Sequence, residues 1–107
     1  MKTIPQIFRK NGFAYSLVTR RGMVAIYEQR GAGGIAAYEV HHVRKVKPGQ
    51  VRGKPIEGGE TLASDRLWGK YGWTYSTYGG AVGSDAALAQ AETKLGALCA
   101  ELAAKQP

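Results

Sequence analysis

The chain has 107 residues and a formal net charge of +7, with 44% hydrophobic and 21% charged residues. This length supports one hydrophobic core, and the composition is that of a globular domain rather than a disordered segment. The longest uncharged run, 71–84, is rich in Gly, Ser, Thr and Tyr, which excludes a transmembrane helix. The first residues lack the apolar stretch of a signal peptide. We therefore expect one cytoplasmic domain, 1–107, in which 1–12 form a flexible arm.

The charge is distributed unevenly along the chain. Residues 1–54 carry eleven Lys and Arg against two acids, which makes this half +9, whereas 55–107 carry four against six, which makes that half −2. A cationic surface concentrated in one half of a small domain is typical of proteins that bind polyanions.

The first half predicts a meander of three strands at 13–20, 23–29 and 35–46. Alternating apolar residues indicate the first two strands, and Arg21-Gly22 predicts the turn between them. In the third strand the alternation slips at Val43, so we expect a bulge near His41-His42. The glycine-rich loop 31–34 precedes a strand rather than a helix, so it predicts a hairpin loop and not a phosphate loop.

The second half predicts loop, then a short helix, a strand and a long helix. Residues 47–60 are expected to be loop, with a short edge strand near 50–54. Ser64 is expected to cap a short helix near 64–71, and 73–78 have the composition of a strand. Ser84 is expected to cap the C-terminal helix, whose apolar residues share one stripe: Leu88, Ala91, Leu95, Leu98 and Leu102. The far side of that helix carries Lys94, Glu101 and Lys105.

These elements predict an α+β domain. An antiparallel β-meander of three to five strands is covered on one face by the C-terminal amphipathic helix, because a helix with one apolar stripe needs one surface to bury. The other face of the sheet is expected to remain free for a partner.

No residue pattern indicates catalysis or metal binding. His41 and His42 are adjacent in a strand and point to opposite faces, so they cannot chelate one metal together. Cys99 lies beside the apolar stripe without an activating base and is expected to be a structural thiol. We expect no enzyme activity, no cofactor, no metal and no small-molecule substrate.

Basic and aromatic residues are interleaved along the first half, a combination used by binders of single-stranded nucleic acid. Arg20 and Arg21 lie at the first predicted hairpin turn, and Arg44, Lys45 and Lys47 lie where the third predicted strand meets a turn. Because both groups lie at the same end of a meander, we expect one cationic edge of five side chains. The candidate binding residues also include the two histidines and three tyrosines: His41, His42, Tyr38, Tyr75 and Tyr78.

The layout resembles that of small, largely uncharacterised accessory proteins encoded by phages and other mobile elements. A basic three-stranded meander, the stretch Trp68-Gly-Lys-Tyr-Gly-Trp-Thr-Tyr75 and a terminal amphipathic helix carry the resemblance over 13–102, although the helix face here is Ala-rich where such proteins place a large aromatic. The resemblance implies an accessory protein that acts by binding, and an inhibitor of a bacterial defence complex is one form of it. It carries over no catalytic residues.

Two functions are consistent with these observations. The first is a non-catalytic protein that binds DNA or RNA through the cationic sheet edge. The alternative is an inhibitor of anti-CRISPR or other anti-defence type that binds a host protein or nucleoprotein complex. No membrane partner is expected in either case.

Overall fold

The computed structural model describes residues 3–51, 53–56 and 58–105. Within these ranges the chain forms nine strands, two short 3₁₀ turns at Asp65–Leu67 and Tyr78–Gly80, and one α-helix. The strands and the helix are β1 (Ile7–Lys10), β2 (Phe13–Arg21), β3 (Val24–Gly31), β4 (Gly34–His42), β5 (Arg44–Val46), β6 (Gly49–Val51), β7 (Lys54–Ile56), β8 (Gly59–Thr61), β9 (Gly72–Ser76) and α1 (Ser84–Ala104).

Five strands form one antiparallel sheet in the order β1-β2-β3-β4-β9. The first four follow each other along the chain as a meander, and β9 adds to β4 after the long excursion through 43–71. The predicted α+β class is thereby confirmed, and the connections predicted at Arg21-Gly22 and at 31–34 are hairpin turns at 22–23 and 32–33.

Helix α1 covers one face of the sheet. Its buried residues Ala87, Ala91, Leu95 and Leu98 pack on side chains of β3 and β4, among them Val24 and Val40. Three of the five residues of the predicted stripe, Ala91, Leu95 and Leu98, are thus buried, whereas Leu88 and Leu102 are partly buried. Among the described residues, no helix combines the length and the apolar character that a membrane crossing requires.

The opposite face of the sheet is not free, which corrects the prediction. A second buried cluster lies there, and it includes Ile4, Tyr15, Tyr27 and Val43. The Tyr27 hydroxyl donates to the carbonyl of Pro5 at 2.6 Å, so the N-terminal segment is held against the sheet. The described part of 1–12 is therefore packed segment and edge strand rather than a flexible arm. Burial of Tyr27 raises the pKa of its hydroxyl to about 12.

The alternation of apolar side chains along the strands differs from the predicted pattern, because both faces of the central strands are buried. The predicted strand 35–46 is divided, because β4 ends at His42 and β5, from Arg44, belongs to another sheet. Val43 between them is buried on the second face, so no bulge is needed near His41-His42. The irregularities fall between Leu17 and Thr19 in β2 and opposite Gln29 and Arg30 of β3. The irregularity in β2 ends the predicted alternation of apolar and polar side chains after Leu17, before Thr19 is reached.

The excursion between β4 and β9 is more ordered than predicted. Strands β5 and β8 pair with each other, and β6 pairs with β7. The predicted edge strand near 50–54 is therefore not one strand, because its ends lie in β6 and β7, and residue 52 between them lies outside the described residues. The predicted helix near 64–71 is only a 3₁₀ turn, and Ser64 forms no side-chain cap. The N-cap of α1 is Gly83, one residue before the predicted Ser84.

Replacing Leu95 with Ala should lower the free energy of unfolding by about 2–4 kcal/mol, because it empties a buried position between helix and sheet. Leu95 is 7% exposed. The matched control, Gln90→Ala, lies on the exposed side of the same helix and should change stability by no more than about 0.5 kcal/mol. Equal midpoints for both variants in chemical denaturation would show that α1 is not docked through this stripe.

Candidate functional site

The two histidines lie on opposite faces of the sheet, as predicted from the two-residue period of a strand. His41 is buried on the second face, where its Nδ1 accepts the backbone N–H of Ala63 at 3.2 Å and its Nε2 lies 3.0 Å from Oε1 of Glu39. His42 is half-buried on the helix face, with its ring 5.2 Å from that of Tyr71. His41 is thus enclosed by the protein, and only His42 lies at the surface.

The predicted cationic edge of five side chains is not formed, because Arg20 and Arg21 point to opposite faces. The Arg20 guanidinium donates to both carboxylate oxygens of Glu60, at 2.6 and 2.5 Å. Arg21 lies along the helix, where its Nε is 3.4 Å from Sγ of Cys99. Lys45 is paired in register with Glu60. The acid Glu60 therefore neutralises charge at the place where the sequence predicted the most cationic surface.

The remaining predicted residues differ in exposure. Tyr38 is 5% exposed and belongs to the core under the helix, so it is not a contact residue. Tyr75 is half-buried against the same core, whereas Tyr78 is 73% exposed. Lys45 and Lys47 are exposed.

A different set of cations converges at a cleft between the C-terminal half of α1, the end of β4 and the segment that leads into β9. This cationic cleft has a volume of about 400 Å³. Its lining includes His42, Lys70, Tyr71, Trp73, Lys94, Glu101 and Lys105.

Aromatic rings and cations are in direct contact in the cationic cleft. The ammonium of Lys94 lies 4.3 Å from the centre of the Trp73 ring, and that of Lys70 lies 5.7 Å from the Tyr71 ring. The guanidinium of Arg44 lies 5.2 Å from the same Tyr71 ring, so Arg44 adjoins a residue of this cleft. These distances are those of cation–π contacts, which hold the long side chains over the rings.

The cationic cleft has a positive electrostatic environment, which is reflected in His42. Burial lowers the pKa of the His42 imidazole below its ordinary value, and the charges of Lys105 and Arg44 lower it further, while Glu101 acts in the opposite direction. Glu101 pairs with Lys105 at 3.7 Å, so one of the cations is partly compensated.

Such a cleft can bind an anion that carries flat rings. The cations can neutralise anionic groups, and a flat ring of the ligand can stack on Trp73 or Tyr71 by taking the place of the cation that lies over that ring. The predicted binding residues included His42, which lines the cleft, and Arg44, which contacts Tyr71. They did not include the three lysines, Lys70, Lys94 and Lys105, or the rings of Tyr71 and Trp73. A signal existed in the helix, since Lys94, Glu101 and Lys105 recur at spacings of seven and four and therefore share one flank.

No group of three or more His, Cys, Asp or Glu residues that could hold a metal ion is present in the part of the chain that the structure describes. Comparisons with family models, with curated proteins and with solved structures found no significant match to the chain. The resemblance to phage and mobile-element proteins stays a prediction, and the site is interpreted from its own geometry.

Replacing Arg20 with Gln should destabilise the protein by about 1–3 kcal/mol at neutral pH, because it removes two charge-assisted hydrogen bonds to a mostly buried carboxylate. The hydrogen bonds from Arg20 hold the pKa of Glu60 below its ordinary 4.5. A lowered carboxyl pKa stabilises the fold above the unfolded-state value and ceases to do so as pH falls through the folded-state value. The difference between Arg20→Gln and wild type should therefore be full above about pH 4.5 and shrink below it.

The control is Lys47→Gln, which removes the same charge from an exposed position and should cost no more than about 0.5 kcal/mol. Urea denaturation at several pH values measures both variants. An Arg20→Gln variant as stable as Lys47→Gln would mean that the ion pair is not structural.

Proposed function

We propose that this protein binds single-stranded nucleic acid, without catalysing a reaction, through the cationic cleft. The observation that carries the proposal is the convergence of four cations near two aromatic rings: Lys70, Lys94 and Arg44 lie over Tyr71 or Trp73, and Lys105 lines the same cleft.

Charge and geometry both support a nucleic-acid ligand. Lysine and arginine side chains neutralise backbone phosphates and release counterions, which supplies most of the sequence-independent affinity. Bases of a single strand are free to stack on aromatic side chains, whereas those of a duplex are already stacked on each other. A cleft of about 400 Å³ lies within the range of sites that hold small organic ligands, and further phosphates can contact exposed cations outside it.

A second candidate is the inhibitor function, in which the protein binds a host protein or nucleoprotein complex. The observation that favours it is Tyr78, which is 73% exposed at the surface and has a left-handed backbone conformation with φ of 49°. Exposed tyrosines are frequent centres of binding energy in protein interfaces, and a non-glycine residue at positive φ needs support from its surroundings. A wild-type protein that binds no nucleic acid would favour this second function.

The cleft variant K70Q/K94Q/K105Q should reduce the slope of log affinity against log salt concentration by about two units. Each phosphate contact on a single strand contributes about 0.7 to that slope. Fluorescence anisotropy with a labelled oligonucleotide of about ten nucleotides measures the slope, and a duplex of the same sequence tests the preference for single strands.

The matched control is R9Q/K45Q/K47Q, which removes the same number of exposed cations from outside the cationic cleft. This control should keep most of the slope. Equal losses in both triple variants would show that net charge alone, and not the cleft, attracts the nucleic acid. An unchanged cleft variant would exclude the cleft as the site.

The His42 imidazole should titrate below 6.5 in the free protein, because burial, Lys105 and Arg44 lower its pKa. A phosphate placed beside the ring favours the charged form and should raise that pKa. Binding then takes up a proton, so affinity should rise as pH falls from about 7.5 to about 5.5, and His42→Gln should remove this part of the dependence. NMR titration of the imidazole protons with and without oligonucleotide measures the change, and a midpoint unaffected by saturating oligonucleotide would place the phosphates elsewhere.

A further inference from the structure

A second cleft lies on the other face of the sheet and has the opposite chemistry. This carboxylate cleft has a volume of about 550 Å³, and its lining includes Phe8, Tyr15, Gln29, Glu39, His41 and Trp68. The residues reach it from β1 to β4 and from the segment that precedes β9. None of its hydrogen bonds is needed for the function proposed above.

The carboxylate of Glu39 lies at the base of the carboxylate cleft and is held there by neutral groups. Its Oε1 accepts from Nε2 of His41 at 3.0 Å, and its Oε2 accepts from the hydroxyl of Tyr15 at 3.3 Å. Tyr15 in turn accepts from the amide of Gln29 at 2.7 Å. Burial, followed by the charges of Glu39 and Asp65, raises the pKa of Tyr15, so at neutral pH the hydroxyl keeps its proton and donates it.

His41 is a neutral support and not a counterion. The backbone N–H of Ala63 donates to its Nδ1, so that nitrogen carries no proton and the single ring proton lies on Nε2, toward Glu39. Both ring nitrogens are occupied by these contacts, which leaves neither free to act as a base.

Glu39 is therefore a mostly buried charge without a cation. Its side chain is 13% exposed, and among the described residues no Lys or Arg side chain forms an ion pair with it. Burying a carboxylate without a counterion is costly. Two hydrogen bonds also leave part of the accepting capacity of the carboxylate unused, since its two oxygens offer about four acceptor sites.

The walls of the carboxylate cleft are aromatic and held in place. Phe8 and Tyr15 stack with ring centres 4.6 Å apart and planes within 2°. Across from them, the Trp68 indole donates to Oγ1 of Thr74 at 3.0 Å and meets the His41 ring edge-on at 5.3 Å. Trp68 is 36% exposed, so part of its ring faces solvent.

We propose that the carboxylate cleft binds an alkylguanidinium group, as in an arginine side chain, with its fork of N–H donors on Glu39 and its plane against the aromatic walls. Guanidinium is planar, always charged and matched to a carboxylate by two parallel hydrogen bonds, and it stacks on aromatic rings. An ammonium satisfies the charge without the fork or the plane, and a phosphate is repelled by Glu39. At the rim, Lys10 and Asp65 form an exposed ion pair at 3.2 Å, which adds no net charge.

The experiment titrates the wild-type protein with N-acetyl-arginine amide, with the lysine analogue and with the citrulline analogue, a neutral isostere of arginine. Two-dimensional NMR follows the indole N–H of Trp68, which the variant Trp68→Phe distinguishes from that of Trp73. The arginine compound should shift this signal in a saturable manner. The lysine compound should bind about tenfold more weakly or worse, and the citrulline compound should not saturate.

Variants separate the Glu39 charge from general surface charge. Glu39→Gln keeps the shape and should reduce the affinity for the arginine compound at least about tenfold. The control Asp65→Asn makes the same charge change at the 86%-exposed rim and should have an effect of about twofold or less. Thermal unfolding of both variants reports whether the fold is kept. If Glu39→Gln does not fold, the comparison of the arginine and citrulline compounds with the wild-type protein still tests the proposal.

Three results would overturn the proposal: citrulline binding as tight as arginine binding, equal losses in Glu39→Gln and Asp65→Asn, or an indole signal that no arginine concentration moves.

Free arginine, tested beside the capped form, identifies the source of the group. Tighter binding of the capped compound supports an arginine within a polypeptide, and tighter binding of free arginine supports a small metabolite. The cleft variant K70Q/K94Q/K105Q should bind the arginine compound normally, so the two proposed sites fail or succeed separately.

Discussion

The architecture depends on the burial of β3 and β4 from both sides. Val24, Ala25, Ile26 and Tyr27 are all 0% exposed, although successive side chains of a strand point to opposite faces. Each face must then have its own cover. The helix provides one, and the N-terminal segment with the chain that precedes β9 provides the other. A domain of 107 residues in this way builds two small cores on a single sheet rather than one large core.

The two clefts form where these covers end. On the helix face, the cleft beside Trp73 of β9 collects cations from the helix and from the segment before β9. On the second face, the segment around Ala63 bridges to His41 and leaves an opening over Glu39. One sheet therefore separates a cationic cleft from a carboxylate cleft.

Neighbouring residues of a strand lie on opposite faces of the sheet, so charges that are adjacent in the sequence do not form one charged surface. Arg20 and Arg21 are adjacent, yet one is bound to Glu60 on the second face and the other lies along the helix. Glu60 is 40 residues away from Arg20 in the sequence, and its effect on the cationic edge depends on the β5–β8 pairing that brings it there. Ion pairs of this kind arise from tertiary contacts and not from local pattern, so the +9 half of the sequence does not form the single cationic edge that was predicted.

Local pattern determined much of this protein. The 3.6-residue spacing identified the buried stripe of α1, the alternation and Gly-containing turns identified the β2–β3–β4 meander, and the two-residue period separated His41 from His42. These features follow from forces between residues close in the chain, so a sequence displays them. The tertiary structure alone decided that the second face is covered, that Val43 needs no bulge, and that His42, Lys70, Trp73, Lys94 and Lys105 line one cleft. Those outcomes depend on which distant segments bury a surface together, and the free energy that selects them is spread over many contacts that no short stretch of sequence contains.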